Sequence, residues 1–251
     1  ELPDWDVFAW PNCWRQVVIA EIPCNWLQCQ ENTVDPVHFE WLHNNTQQAR
    51  LGVKGPLTPR TIKMAVEDAP FGLLTRRYRE GMDETSSLWK TGRAIVWPNG
   101  WYFGHHLEWK VPIDDRNTLY VIWFSMRVPR EFEPYEQASI PTWHAPIKDE
   151  KGDWLETGVS NQDIVAWVSQ GVIADRTREN LCASDVGVVA LRRRFLEDLK
   201  AIEEGRDPRC VIRDPAANMR LEIPCVDLDD FKNGLPMEEM KKHFLMGSLL
   251  S

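Results

Sequence analysis

The period of the apolar positions changes three times along this chain. The run from Arg15 to Ile22 is short and β-branched and is closed by Pro23, which predicts a strand. From Asn25 to His43 the apolar residues Trp26, Leu27, Val34, Val37, Trp41 and Leu42 fall near helical spacing. Pro36 should disturb that helix, because it has no N–H to offer the carbonyl of Asn32. Between Thr61 and Arg127 the texture turns to β-formers, in segments Ile62–Val66, Gly72–Arg79, Leu88–Val96, Trp101–His106, Glu108–Ile113 and Thr118–Arg127. Turn residues separate several of them, as in Glu80-Gly81-Met82-Asp83, Pro98-Asn99-Gly100 and Asp114-Asp115-Arg116-Asn117, so the region reads as an antiparallel sheet of hairpins. Helical spacing returns at Gln162–Gln170, closed by Gly171. It returns again after Ser184, which reads as an N-cap, through Val188, Leu191, Phe195, Leu199 and Ile202 to Gly205. The order helix, antiparallel sheet, helices predicts an α+β domain with helices on one face of the sheet.

At 251 residues the chain can bury a substantial core, and it contains no apolar run of membrane-spanning length. A net charge of −9 disfavours a polyphosphate backbone, so neither nucleic acid nor membrane is an expected partner. The six cysteines (Cys13, Cys24, Cys29, Cys182, Cys210 and Cys225) form no C-x-x-C or C-x-H pattern, and several have apolar neighbours. They read as free thiols in a reducing cytoplasm. The chain opens Glu1-Leu2-Pro3-Asp4 without an initiator Met, which is the look of a processed product or a piece of a longer protein.

Chemistry concentrates in Asp35-Pro36-Val37-His38-Phe39-Glu40-Trp41-Leu42-His43. Neutral imidazole and carboxylate together suit Fe(II), and two His with one carboxylate leave positions open for oxygen. On an ideal helix, residues five apart point about 140° away from each other. His38 and His43 can therefore share an ion only if the helix is broken or bulged between them, a distortion frequent at functional sites. Asp35 lies close to the direction of both and can support a ligating imidazole from outside. The plainer alternative is two packed histidines and no metal, in a module that binds a hydrophobic ligand. The thirteen Trp and nine Phe fit an aromatic pocket, though most should be core. The H-x-E patterns His38-Phe39-Glu40 and His106-Leu107-Glu108 are a weak match to the H-x-D of 2-oxoglutarate oxygenases, and His105 or His106 could equally face a cavity from a strand. Arg192-Arg193-Arg194 reads as a solvated or salt-bridged face.

Three stretches carry a resemblance: Pro23-Cys24-Asn25-Trp26-Leu27 through His43, Gln162-Asp163-Ile164-Val165-Ala166-Trp167 through Glu179, and Ser184-Asp185-Val186-Gly187-Val188 followed by Arg192-Arg193. They resemble the large subunit of Rieske non-heme iron aromatic oxygenases, in the phthalate-type branch, and within it the dehydrodivanillate-type aromatic O-demethylase oxygenases. The resemblance implies a curved antiparallel sheet gripped by helices (a helix-grip or START-like catalytic domain) over residues 1–251. It makes His38 and His43 the imidazole ligands of a mononuclear Fe(II), and Asp163 the carboxylate ligand that best matches the family's place, ahead of Asp175 and Asp185. We read Asp175 as a partner of Arg176 or Arg178, and Asp185 as a first-turn helix charge. Asp35 matches the family's bridging aspartate, which links an iron-bound His to the cluster of a neighbouring subunit. The implied activity is oxidation of a small aromatic substrate, by O-demethylation or by ring hydroxylation. Electrons would come from NAD(P)H through a ferredoxin or flavin reductase, in a homotrimer.

One departure is large. A Rieske [2Fe–2S] centre needs C-x-H and C-x-x-H pairs, and neither occurs in this sequence. The expectation is that the cluster belongs to an N-terminal domain not included in this chain, or to a neighbouring subunit.

Overall fold

The computed structural model describes residues 2–52, 54–104, 106–156, 158–218 and 221–224. Its centre is one sheet of eight strands: β1 (Cys13–Ile22), β2 (Thr61–Ala69), β3 (Gly72–Arg79), β4 (Arg93–Val96), β5 (Gly100–Phe103), β6 (His106–Pro112), β7 (Thr118–Arg127) and β8 (Thr142–His144). The order across the sheet is β2-β3-β4-β5-β6-β7-β1-β8. The strands from β2 to β7 form a meander of consecutive antiparallel neighbours, and β1 closes on β7 with Val18 opposite Ile122. The antiparallel expectation fails only at the short edge strand β8, which runs parallel to β1.

Helices α1 (Trp26–Glu31), α4 (Val159–Ser169) and α5 (Val186–Glu203) lie on one face; α2 (Thr46–Arg50) and α3 (Ser87–Lys90) are short. Ile164 and Trp167 of α4 pack with Val18, Ala20, Tyr120 and Ile122, while Val188 and Leu191 of α5 pack with Leu73, Ile95 and Trp97. The opposite face is covered by Trp5 and Val7 near the start of the chain and by Ile223. This is the α+β, helix-grip-like arrangement that the resemblance implies.

Three local expectations need correction. Leu88–Val96 is not one strand: residues 87–90 form a helical turn, and Gly92, at φ +74°, reverses the chain before β4 begins. His106 opens β6 rather than ending β5. Ser184 does not cap α5; it sits inside a short 3-10 turn over Ala183–Asp185, and Asp185 accepts from the backbone N–H of Cys182 at 2.6 Å. Cys13, Cys24 and Cys29 are buried free thiols, Cys182 is exposed, and Cys225 lies outside the described residues.

Candidate metal centre

The stretch between Asn25 and Arg50 is helical in four pieces. α1 starts at Asn25, whose side chain accepts from Leu27 N–H, and tightens into a 3-10 turn over Asn32–Val34. Asp35 precedes a proline and is pushed out of the helical region, to φ −90° and ψ 117°. The chain then re-enters a helix whose turn over Phe39–Asn45 is a π-helix, running from His38 to the Thr46 N–H, which bonds Trp41 O. This is a distortion of the kind that two histidines five apart would need to share an ion. Bonds of the i→i+5 type put residues five apart nearly above one another, so both imidazoles face one side. The rings meet edge to face, with centroids 5.2 Å apart.

Asp163, in the second turn of α4, completes the group. Its Oδ1 lies 3.1 Å from His43 Nε2 and 3.8 Å from His38 Nε2. One ligand atom from each of the three residues falls within 4.8 Å of the others. Donors at right angles, each about 2.1 Å from a shared ion, stand roughly 3 Å apart, so the set fits a six-coordinate cation with little movement. Two imidazoles and one carboxylate, with positions left open, are a donor set that suits Fe(II). Asp175 and Asp185 are elsewhere. Asp175 caps Thr177, bonding its N–H and hydroxyl, while Arg176 reaches Glu31 and Glu179 instead of Asp175. Arg192, Arg193 and Arg194 are each salt-bridged, to Glu31 and Glu179, to Glu197 and to Asp68.

Each imidazole turns Nε2 inward and Nδ1 outward. His43 Nδ1 stands 2.9 Å from Gln162 Oε1, which can only accept. A proton on Nδ1 satisfies that oxygen, which leaves Nε2 to give its lone pair to a cation when one is bound. Burial pushes His43 down, the Asp163 carboxylate and the Gln162 oxygen push it up, and the balance lies above the ordinary value. The same negative potential favours a cation between the three side chains. Asp35 stands behind His38, its Oδ2 3.4 Å from Nδ1. That is an ion-pair distance and not a formed hydrogen bond, and His38 Nδ1 makes none among the described residues. Burial raises the Asp35 carboxyl, but the approach of the His38 ring and the N–H groups of Val37 and His38 outweigh it and hold it below its usual range. Asn32, which the sequence did not single out, donates to Asp163 Oδ1 at 3.2 Å.

His38, His43 and Asp163 open onto a cavity of about 290 Å³, roughly twice the size of a cavity that admits benzene. Its other wall is the helix-covered face of the sheet, contributed by alternate residues of successive strands: Trp101 and Phe103 on β5, His106 and Glu108 on β6, Tyr120, Ile122 and Phe124 on β7. Cross-strand pairing sets Trp101 against Glu108, Phe103 against His106 and His106 against Phe124. Burial, with Lys110 and Arg93 adding to it against the opposing Glu108, pushes His106 down to about 4, so its ring is neutral. Glu108 contacts the fully buried Lys110 and the hydroxyl of Tyr120, which balances its charge inside the wall. His106 thus lines the cavity without joining the metal group, and His105 lies outside the described residues.

Replacing Gln162 with Leu should remove the acceptor that fixes the His43 tautomer while leaving the three ligand residues in place. Losses of this kind cost roughly 10- to 100-fold in metal affinity. An Fe(II) titration of the Q162L protein that matched the native curve would show that Gln162 is only packing.

A family model described as LigXa C-terminal domain like matches residues 128–223. The chain is 49% identical over 241 residues to the 5,5'-dehydrodivanillate O-demethylase oxygenase subunit of a Sphingobium species, covering 96% of this chain and 57% of that protein. It is 30% identical over 246 residues to the phthalate 4,5-dioxygenase oxygenase subunit of Pseudomonas putida, covering 81% of this chain and 56% of the relative. A phenoxybenzoate dioxygenase subunit alpha from Ectopseudomonas oleovorans matches at 25% over 196 residues, 74% of this chain and 45% of its own. The chain thus spans about half the length of the curated relatives it matches.

Proposed function

We propose that this chain belongs to the Rieske-type aromatic oxygenases, as part of an oxygenase subunit, and that it is the mononuclear-iron catalytic domain of an enzyme that removes the methyl group of a methoxylated aromatic compound. The observation that carries this reading is the convergence of His38, His43 and Asp163 on an aromatic-lined cavity. Fe(II) held there would supply the activation of oxygen. The chain's own residues do the rest. Gln162 and Asp35 hold the two imidazoles from behind, and Trp101, Phe103 and Phe124 flank the substrate and exclude water. The overall reaction is one methoxyarene, one O2, two electrons and two protons giving a phenol, formaldehyde and water. The two electrons come from a reductase that draws on NAD(P)H, through a Rieske cluster outside this chain, in a homotrimeric assembly. No helix among the described residues is long and apolar enough to cross a membrane.

The test is product analysis of the assembled oxygenase with its reductase. Phenol and formaldehyde should form in equal amounts from a methoxyarene. A cis-dihydrodiol with no formaldehyde would overturn demethylation in favour of ring hydroxylation. Unaltered substrate with a protein that binds no iron would favour a metal-free ligand-binding module.

A further inference from the structure

One wall of the cavity holds a buried ion pair that metal binding does not require. Glu108 on β6 and Tyr120 on β7 both line the cavity. Lys110 follows Glu108 two residues along β6, on the same face of the sheet, and stands opposite Tyr120 in the ladder. Lys110 is 0% exposed. Its ammonium contacts Glu108 Oε1 and is otherwise set among rings, 5.4 Å from the centre of Tyr120, 5.8 Å from Trp167 and 6.0 Å from Trp101. Stability does not account for such a pair. Taking two charges out of water costs about as much as their attraction returns, and apolar side chains of similar volume often do as well or better.

What the pair supplies is an acceptor. Glu108 Oε2 takes the hydroxyl of Tyr120, which keeps its proton because burial and the Glu108 carboxylate push it well above the ordinary tyrosine range. A carboxylate has room for about four donors. Among the described residues Lys110 and Tyr120 are the donors in place, and His106 Nε2, 3.9 Å from Oε2, is beyond hydrogen-bond reach. Glu108 therefore keeps acceptor capacity on a wall otherwise built from aromatic and aliphatic side chains, and Lys110 keeps that acceptor from being a bare buried charge. An anion on the ring would be repelled there. A neutral ring hydroxyl suits it, because a bond from O–H to a carboxylate is charge-assisted and roughly twice as strong as a neutral one.

We propose that Glu108, with Lys110 as its counter-ion, is a specificity-determining residue that accepts a hydrogen bond from a hydroxyl on the substrate ring, and so turns a methoxy group of that ring toward His38, His43 and Asp163. The substrate class is then a methoxyphenol, bound with its hydroxyl protonated. The assignment rests on the reading that this cavity takes a methoxylated aromatic compound, and it adds a second ring substituent and the residue that recognises it.

The experiment is a calorimetric titration of the assembled oxygenase, kept free of oxygen and of reductant, with ortho-methoxyphenol and with methoxybenzene. The phenol should bind roughly tenfold or more tighter. Glu108→Gln combined with Lys110→Met takes away the charge and its counter-ion together, so no unpaired ion is left in the wall, and it should remove most of that preference. Equal binding of the two probes to the native enzyme, no binding of either, or a preference that survives in the double variant overturns the proposal. A second readout needs no variant and decides the matter should the double variant fail to fold. The para-nitro derivative of ortho-methoxyphenol ionises near neutral pH, and its phenolate absorbs strongly in the blue. Beside the Glu108 carboxylate it should bind as the phenol, so adding native enzyme should weaken the phenolate band. A band that stays the same or strengthens overturns the proposal equally. The outcome is separable from that of the demethylation reading. Equally efficient formaldehyde release from ortho-methoxyphenol and methoxybenzene would sink the subsite alone. Selective binding of the phenol without formaldehyde would sink the reaction alone.

Discussion

Alanine in place of His43 should empty the metal centre and end turnover while the sheet and its helices stay folded. His43 is buried, with its Nε2 3.1 Å from Asp163 and its Nδ1 on Gln162. Its removal leaves one imidazole and one carboxylate, too few to hold Fe(II) against water. His38→Ala should act the same way, because the π-turn brings both rings to Asp163 and no fourth donor stands in reserve among the described residues. Changing a group that only orients a ligand costs up to about 100-fold in affinity, so losing the ligand itself should cost more. Elemental analysis should find iron at background in both variants, with far-ultraviolet circular dichroism unchanged. His106→Ala is the matched control. It removes an imidazole from the same cavity, one packed among Trp101, Phe103 and Phe124, and should leave iron content intact. Full iron in either His38→Ala or His43→Ala would make the ligand assignment wrong.

The sheet was legible wherever local chemistry punctuates it. β3 and β7 begin and end at the residues the pattern marks, Gly72–Arg79 and Thr118–Arg127. Gly81, at positive φ, follows the end of β3, and the Asp114–Asn117 turn joins β6 to β7. Leu88–Val96 misled because leucine and tryptophan suit both periods, and only the positive φ of Gly92 separates the helical turn from β4. Pro36 announced the break ahead of the histidines, and the five-residue spacing announced a distortion after it. That this would be a π-helix is not legible in the spacing alone. The residues that sequence reading passed over are those whose role depends on burial. A strand lysine such as Lys110 looks like surface until the helices are seen to cover that face. Gln162 stands beside Asp163 in sequence, yet nothing local says its oxygen turns to an imidazole more than a hundred residues away.

Asp35→Asn separates shape from charge at the same centre. Asp35 Oδ1 accepts from Val37 N–H at 2.8 Å and Oδ2 from His38 N–H at 3.1 Å, which re-starts the helix after Pro36. Asparagine caps about as well as aspartate, so the fold and the thermal midpoint should hardly move. What asparagine lacks is the negative charge 3.4 Å from His38 Nδ1, a nitrogen with no formed hydrogen bond among the described residues. If the carboxylate served only as a cap, activity would survive the change. The family resemblance implies a second task, bridging the His38 imidazole to the electron-donating neighbour, and that task would need a charge-assisted acceptor, roughly twice as strong as a neutral one. Losing a contact of about 3 kcal/mol corresponds to about a hundredfold in rate. The assembled Asp35→Asn oxygenase should therefore keep its iron and its stability and lose about that factor in product formed per single turnover. Product at the native rate, with iron retained, would leave Asp35 a helix cap and nothing more. Loss of iron along with activity would place its role in holding His38 rather than in delivering electrons.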